Sequence, residues 1–250
     1  LGDVYKRQVS VIALILRTLP LINIKYRPSE SLDSIIYSWG AFIFTGEYII
    51  EIDNPWCLTG YNRYAFWLFK PILRRFLLQK RCLEIRCVSH SCRLSLGYEL
   101  GSEVFRKAVV AYPATSRIAS IIAPTISQNS VIKSHHKIPT FIFVGSQFYI
   151  KAAVPTLLAY QRLMATGREA RLIMVTNVPA SFEASQLLRD VEIYRPSLSR
   201  EELIGKLMSQ SDVLVHPSYM ESFGMSVLEA ICCELAVISS TIYALPEMVV

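Results

Sequence analysis

The sequence has no CxxC pair, and Cys82, Cys87, His90 and Cys92 follow one another at spacings of five, three and two. None of these spacings is a zinc-ligand pattern, so no metal site is expected. No secretory signal is recognisable. The six cysteines are therefore expected as reduced thiols in the core of a cytoplasmic protein. Long apolar runs are missing as well: Val9 to Leu16 is apolar, but Arg17 and Pro20 follow closely. That run falls short of the roughly 20 residues a helix needs to cross a bilayer. Charge is scarce, 18% of residues against 52% hydrophobic, which excludes a disordered chain and supplies a substantial core. An initiator methionine is lacking too. The first eight residues, LGDVYKRQ, resemble translated adaptor sequence, so residues 1–8 are set aside as an artefact.

Alternating periodicities run along the rest. Strands are expected at 34–38, 48–52, 83–88 and 109–111, with helices at 61–82, broken at Pro71, and at 89–98. Residues 112–139 hold three prolines and many Ser and Thr without strong periodicity, and are read as a linker that includes the solvated pair His135-His136. After it the order resumes: strands at 140–144, 171–175, 192–194, 212–216 and 236–240 alternate with helices at 151–165, 181–188, 200–208 and 225–233. Such βα alternation implies parallel sheets covered by helices on both faces. The expected division is a first unit at 9–111 and a second at 140–250.

The most informative stretch runs from Ser211 to Val250. Val213-Leu214-Val215 reads as a buried strand that Pro217-Ser218 stops, and the loop from Tyr219 to Gly224 opens a helix that ends before Ala236-Val237-Ile238. A strand-loop-helix turn of this kind presents free backbone N–H groups and a positive dipole end, which favour an anion such as a diphosphate. Glu221 stands in the loop and Glu229, eight positions on, lies about a turn and a half inside the helix. Taken alone, the two carboxylates could be a solvated loop residue and an ordinary helix charge.

The run ESFGMSVLEA, followed by ELAVISS and ALPEMV, resembles the donor-site block of retaining glycosyltransferases of the GT-B fold, specifically glycosyltransferase family 4, the "group 1" enzymes. The family's Glu-x7-Glu pattern is in register at Glu221 and Glu229. The resemblance implies that Glu221 hydrogen-bonds hydroxyls of the transferred sugar and that Glu229 holds the ribose of a nucleotide. It also implies that Ser222, Phe223, Gly224 and Met225 line the donor site, the last three offering backbone amides. An ionised carboxylate suits this task because it accepts several hydroxyl protons. A second block, FIFVGSQFYIKAAVPTLLAYQRL, resembles the family's Gly-Arg-x4-Lys-Gly phosphate loop. Gly145 and Lys151 match, whereas Ser146 stands for the usual Arg and Ala152 for the usual Gly. Lys151 is thereby assigned to neutralise the departing diphosphate, and losing a guanidinium at 146 removes a bidentate phosphate contact.

The fold so implied is α/β and GT-B-like, with two Rossmann-like parallel-sheet domains facing a cleft, both incomplete because early acceptor-side elements and the final helix of the family are absent. The implied function is transfer of a sugar from a nucleotide-sugar to a saccharide or lipid-linked acceptor with retention, by front-face displacement without a dedicated nucleophile. No cofactor and no metal are implied. The alternatives are a GT-B-type nucleotide-sugar epimerase and a catalytically silent binding or scaffold protein.

Acceptor-side signals are weaker. Asp53-Asn54 stands about where many family members have a histidine, and Asp53 either hydrogen-bonds a ligand or caps the following turn. His90 follows a buried strand and is either functional or part of a helix cap. The net charge of +6 suits anionic nucleotide-sugars or anionic lipid, and no nucleic-acid partner is expected. Along residues 62–86 seven basic residues face one acid, and Arg63, Trp67, Lys70, Arg74 and Arg81 are expected on one helix side. That face either contacts anionic lipid at the inner side of a membrane or simply meets water.

Overall fold

The computed structural model describes residues 22–25, 34–114 and 138–249. Residues 1–8, expected to be an artefact, the apolar run at 9–16, most of the expected linker and His135-His136 lie outside the described residues. The chain divides into two compact units, one ending at Pro113 and the other beginning at Ala114.

In the first unit, β1 (Ile24–Lys25) pairs in parallel with β3 (Phe42–Ile43), and β2 (Ile36–Trp39), β4 (Tyr48–Ile52), β5 (Cys82–Cys87) and β6 (Ala108–Val110) form a four-stranded parallel sheet in the order β2-β4-β5-β6. Tyr48, Ile50 and Ile52 of β4 alternate onto a fully buried face, as the period of two requires. Between β4 and β5 runs α1 (Arg63–Leu78), capped by the Asn62 side chain, which accepts from Ala65 N at 3.0 Å. Ala65, Phe66, Leu73 and Leu77 form its buried face; truncating either leucine to Ala would cost on the order of 2–5 kcal/mol. The break expected at Pro71 does not occur. Pro71 lies exposed inside a continuous helix, on the side where the carbonyl that loses its N–H partner can meet water. Two further helices follow β5: α2 (His90–Leu100) and the short α3 (Ser102–Lys107).

The second unit is a five-stranded parallel sheet, β11-β10-β7-β8-β9, built from β7 (Thr140–Gln147), β8 (Arg171–Asn177), β9 (Val191–Tyr194), β10 (Val213–His216) and β11 (Ala236–Ser239). Helices α4 (Ala153–Ala165), α5, which starts at Arg200–Glu202 and runs on in a widened turn to Leu207 and a tight one to Gln210, and α6 (Met225–Cys232) cover it. Successive residues of β7 and β8 point to opposite faces, and both faces are buried. Ile142 and Ile173 join Leu214, Ile204, Met208, Val227 and Ala230 on one side, while Phe143 and Met174 join Ala153, Leu157 and Tyr160 on the other. The helix expected at 181–188 is instead two short tight turns, Ala180–Phe182 and Gln186–Leu188, the second capped by Ser185.

Strand order fixes where a ligand can approach. From β7 the chain steps outward to β8 and β9, then returns to β10 on the opposite side of β7. The loops leaving the carboxyl ends of β7 and β10 therefore diverge and open a crevice, the topological switch point of an open parallel sheet.

Candidate functional site

Gly145 and Ser146 lie in the irregular end of β7 and Lys151 in the loop that follows, while the loop after β10 carries Glu221 to Gly224. One main-chain bond ties the two loops together, and two side-chain bonds brace the second loop. Tyr219 N donates to Ile150 O at 2.9 Å, and Ser218 Oγ donates to Met220 O at 2.7 Å while Ser240 Oγ reaches Ser218 O at 2.7 Å. Gly145 is needed for a packing reason: a Cβ there would stand 2.7 Å from Lys151 Cγ. The bare backbone lets the Lys151 stem cross it. Ala152, where the resembled family has glycine, is held at φ 61°. Ser146 is exposed, and its carbonyl accepts from Asn177 Nδ2 at 3.2 Å.

Lys151 reaches across to Glu221. Its Nζ lies 2.6 Å from Oε2 and 3.3 Å from Met220 O, with both side chains largely covered, 17% and 12% exposed. A third group completes the cluster. His216, the last residue of β10 and only 1% exposed, places Nε2 2.8 Å from the same Oε2, and its Nδ1 lies 3.5 Å from Ser226 Oγ at the start of α6. Burial pushes the Glu221 carboxyl up, but hydrogen bonds from His216 and Lys151 and the ammonium charge outweigh it and hold the group at about 2. Glu221 is thus ionised at any physiological pH, ready to accept hydroxyl protons.

Glycine 224 turns the chain into α6 at φ 99°, and a Cβ there would meet Leu245 Cδ2 at 2.7 Å. No side chain caps α6. Its first N–H groups, beside the buried Phe223 and the exposed Met225, are the donors an anion can use. Glu229 lies on the buried side of that helix and pairs with Arg200 at the start of α5. Desolvation raises its pKa, and Arg200 opposes that rise. Sequence reasoning missed both His216 and Arg200. His216 sat in plain view in the strand end VLVH, where alternation already placed it on a buried side. Arg200 precedes Glu229 by 29 residues, and no local spacing connects them.

Asp53 and His90, the residues expected on an acceptor side, belong to the first unit. Asp53, after β4, accepts from Tyr61 Oη and from Asn54 N, both at 2.8 Å. The cap of the following turn is Asn54, which accepts from Trp56 N at 2.9 Å. Ser89 caps α2, accepting from Cys92 N at 3.0 Å, and leaves His90 exposed at the first helical position with its ring 6.1 Å from that of Tyr112. None of the six cysteines forms a disulfide, and all but Cys232 are buried. The basic stripe expected on α1 is rearranged. Lys70 and Arg74 turn to Glu99 and Glu103 on α2 and α3, Arg63 stacks over Trp56 at 4.9 Å, and Arg81 lies past the helix end. Arg63, Arg74 and Arg75 remain exposed, and with them large apolar side chains face water: Tyr64 at 90%, Trp67 at 74%, Leu68 and Ile72. Among the described residues no helix is long and apolar enough to cross a membrane.

Two parallel α/β units, one carrying a Lys–Glu–His cluster at its switch point, have the architecture of GT-B glycosyltransferases. The model of the family "Glycosyl transferases group 1" matches residues 126–250, and the chain belongs to that family. In sequence it is 23% identical over 200 residues to the phosphatidylinositol N-acetylglucosaminyltransferase gpi3 subunit of Schizosaccharomyces pombe, across 77% of this chain and 42% of that protein. Solved structures share the fold. Anabaena Alr3699/HepE in complex with UDP-glucose superposes with a TM-score of 0.59 at 14% identity, over 82% of this chain and 56% of that one. A glycosyltransferase from Rickettsia africae gives 0.57 at 14%, over 80% and 59%. Trehalose-6-phosphate synthase OtsA gives 0.61 at 13%, over 97% and 64%. The chain thus spans less than half of the curated relative and under two thirds of these structures.

Proposed function

We propose that this chain is the sugar-nucleotide-handling part of a glycosyltransferase that moves a glycosyl group from a nucleotide-sugar to a saccharide or lipid-linked acceptor with retention of configuration. Residues 140–250 form the donor unit and 9–111 the acceptor-side unit. The observation that carries this reading is the ionised Glu221, braced by Lys151 and His216 in the β7/β10 crevice beside the uncapped start of α6. Glu221 accepts hydroxyl protons of the sugar, main-chain N–H groups of Phe223 to Met225 meet the donor, and Glu229 with Arg200 faces the nucleoside end. As the C1–O bond to the diphosphate breaks, the acceptor oxygen bonds C1 from the same face and passes its proton to the leaving phosphate oxygen. Lys151 and the α6 N-terminus offset the developing charge, without a metal or a cofactor.

The S. pombe relative's name makes N-acetylglucosamine and a phosphatidylinositol acceptor the first pair to try. A lipid-linked acceptor also suits the exposed Tyr64, Trp67, Leu68 and Ile72 stripe of α1, with Arg75 beside it, as a peripheral contact with the anionic cytoplasmic face of a membrane. The test is incubation with UDP-N-acetylglucosamine or UDP-glucose labelled in the sugar, in the presence of phosphatidylinositol vesicles. Label appearing in the lipid with the donor's anomeric configuration supports the reading. Inverted product contradicts retention, and a protein that binds no nucleoside diphosphate contradicts the donor site itself.

A further inference from the structure

Glu221 can read a sugar only if its carboxylate keeps one orientation, and the residue expected to leave it during the reaction is one of the two that hold it. Oε2 accepts from Lys151 Nζ at 2.6 Å and from His216 Nε2 at 2.8 Å, while Oε1 accepts from Ser222 N at 3.2 Å. A carboxylate has about four acceptor positions, so Oε1 retains capacity for a hydroxyl. Lys151 is a point charge on a flexible four-carbon stem, and a diphosphate in the crevice competes with Glu221 for it. His216 differs in every respect. It is a rigid ring at the end of β10, 1% exposed, with Ser226 of α6 at its far nitrogen.

The geometry points to His216 as a positioning residue: it fixes Glu221 in its hydroxyl-reading orientation while Lys151 transfers its charge to the donor's diphosphate. This rests on the donor-site reading above. The Nε2–H donates to Oε2, and Nδ1 is left to accept from the Ser226 hydroxyl, so the neutral tautomer suffices. The ring meets Glu221, from the β10 loop, and Lys151 reaches the same carboxylate oxygen from the β7 loop. The depressed pKa of Glu221 agrees with two donors on one carboxylate.

Three proteins test it: wild type, His216→Ala, and His216→Gln, whose amide N–H can donate from a similar reach. Calorimetric titration with UDP and with UDP-glucose or UDP-N-acetylglucosamine reads the diphosphate and the sugar separately. His216→Ala is expected to bind UDP as wild type does and to lose about tenfold in nucleotide-sugar affinity, the weight of roughly one hydrogen bond to a charged group. His216→Gln is expected to recover most of that loss. Independently of any ligand, the Glu221 carboxyl followed by carbon NMR should titrate higher in His216→Ala by about one pH unit. Equal loss of both ligands without recovery in His216→Gln would mark a packing role and overturn the proposal. An unmoved Glu221 titration would overturn it as well. A wild type that binds neither ligand overturns the donor-site reading instead, and the titration then still decides whether His216 holds the carboxylate.

Discussion

Replacing Glu221 by glutamine should change how the protein responds to acid, and the size of the change follows from the cluster. Glu221 titrates at about 2 in the folded protein against an ordinary value of 4.5. A carboxyl depressed on folding contributes stability that is fully present above 4.5 and is lost as pH falls toward 2. The full contribution is on the order of 3 kcal/mol, of which about 2 kcal/mol has gone by pH 3. Urea unfolding between pH 7 and pH 3, wild type against Glu221→Gln, isolates this term because the amide does not titrate and other carboxylates cancel in the difference. The stability gap between the two proteins should close by about 2 kcal/mol between pH 6 and pH 3. A gap that stays constant across that range would refute the claim that Lys151 and His216 hold an ionised Glu221.

Arg200→Met leaves Glu229 buried at 6% exposure without its partner. A carboxyl raised by burial is most stable while protonated and loses that stability as pH rises through its pKa, so this variant should be weaker at pH 8 than at pH 5, by about 1–3 kcal/mol in denaturant melts. Gly224→Ala forces a side chain into φ 99° and against Leu245, and should lower thermal stability by about 2–3 kcal/mol and weaken nucleotide binding together. Ser146→Arg restores the guanidinium of the resembled loop and should tighten UDP binding about tenfold by calorimetry. Unchanged affinity there would show that position 146 does not face the phosphates.

The strands of both sheets and the loops between them were legible because parallel strands buried on both faces are short apolar runs. YIIEI and FIFV declare themselves by composition. The family was legible because Gly145, Lys151, Glu221 and Glu229 keep characteristic spacings. What lay outside reach was pairing across the sheet. Lys151 meets Glu221 over 70 residues and Arg200 meets Glu229 over 29, and only the β7/β10 adjacency creates the first contact. Local rules also misjudged α1, where Pro71 was expected to break a helix that in fact exposes it to solvent, and where Arg63, Trp67, Lys70, Arg74 and Arg81 were expected on one helix side that meets lipid or water. Two of them, Lys70 and Arg74, instead find acids on α2 and α3. The region 181–188 failed for the opposite reason: a weakly apolar stretch was given helical length it does not have.

Whether Glu221 meets the sugar rather than the phosphates is tested most directly by calorimetry of wild type and Glu221→Gln with UDP and with a UDP-sugar. The expected result is that both proteins bind UDP with similar affinity and that only wild type gains further affinity from the sugar. Loss of UDP binding in Glu221→Gln, or an equal sugar increment in both proteins, would contradict it.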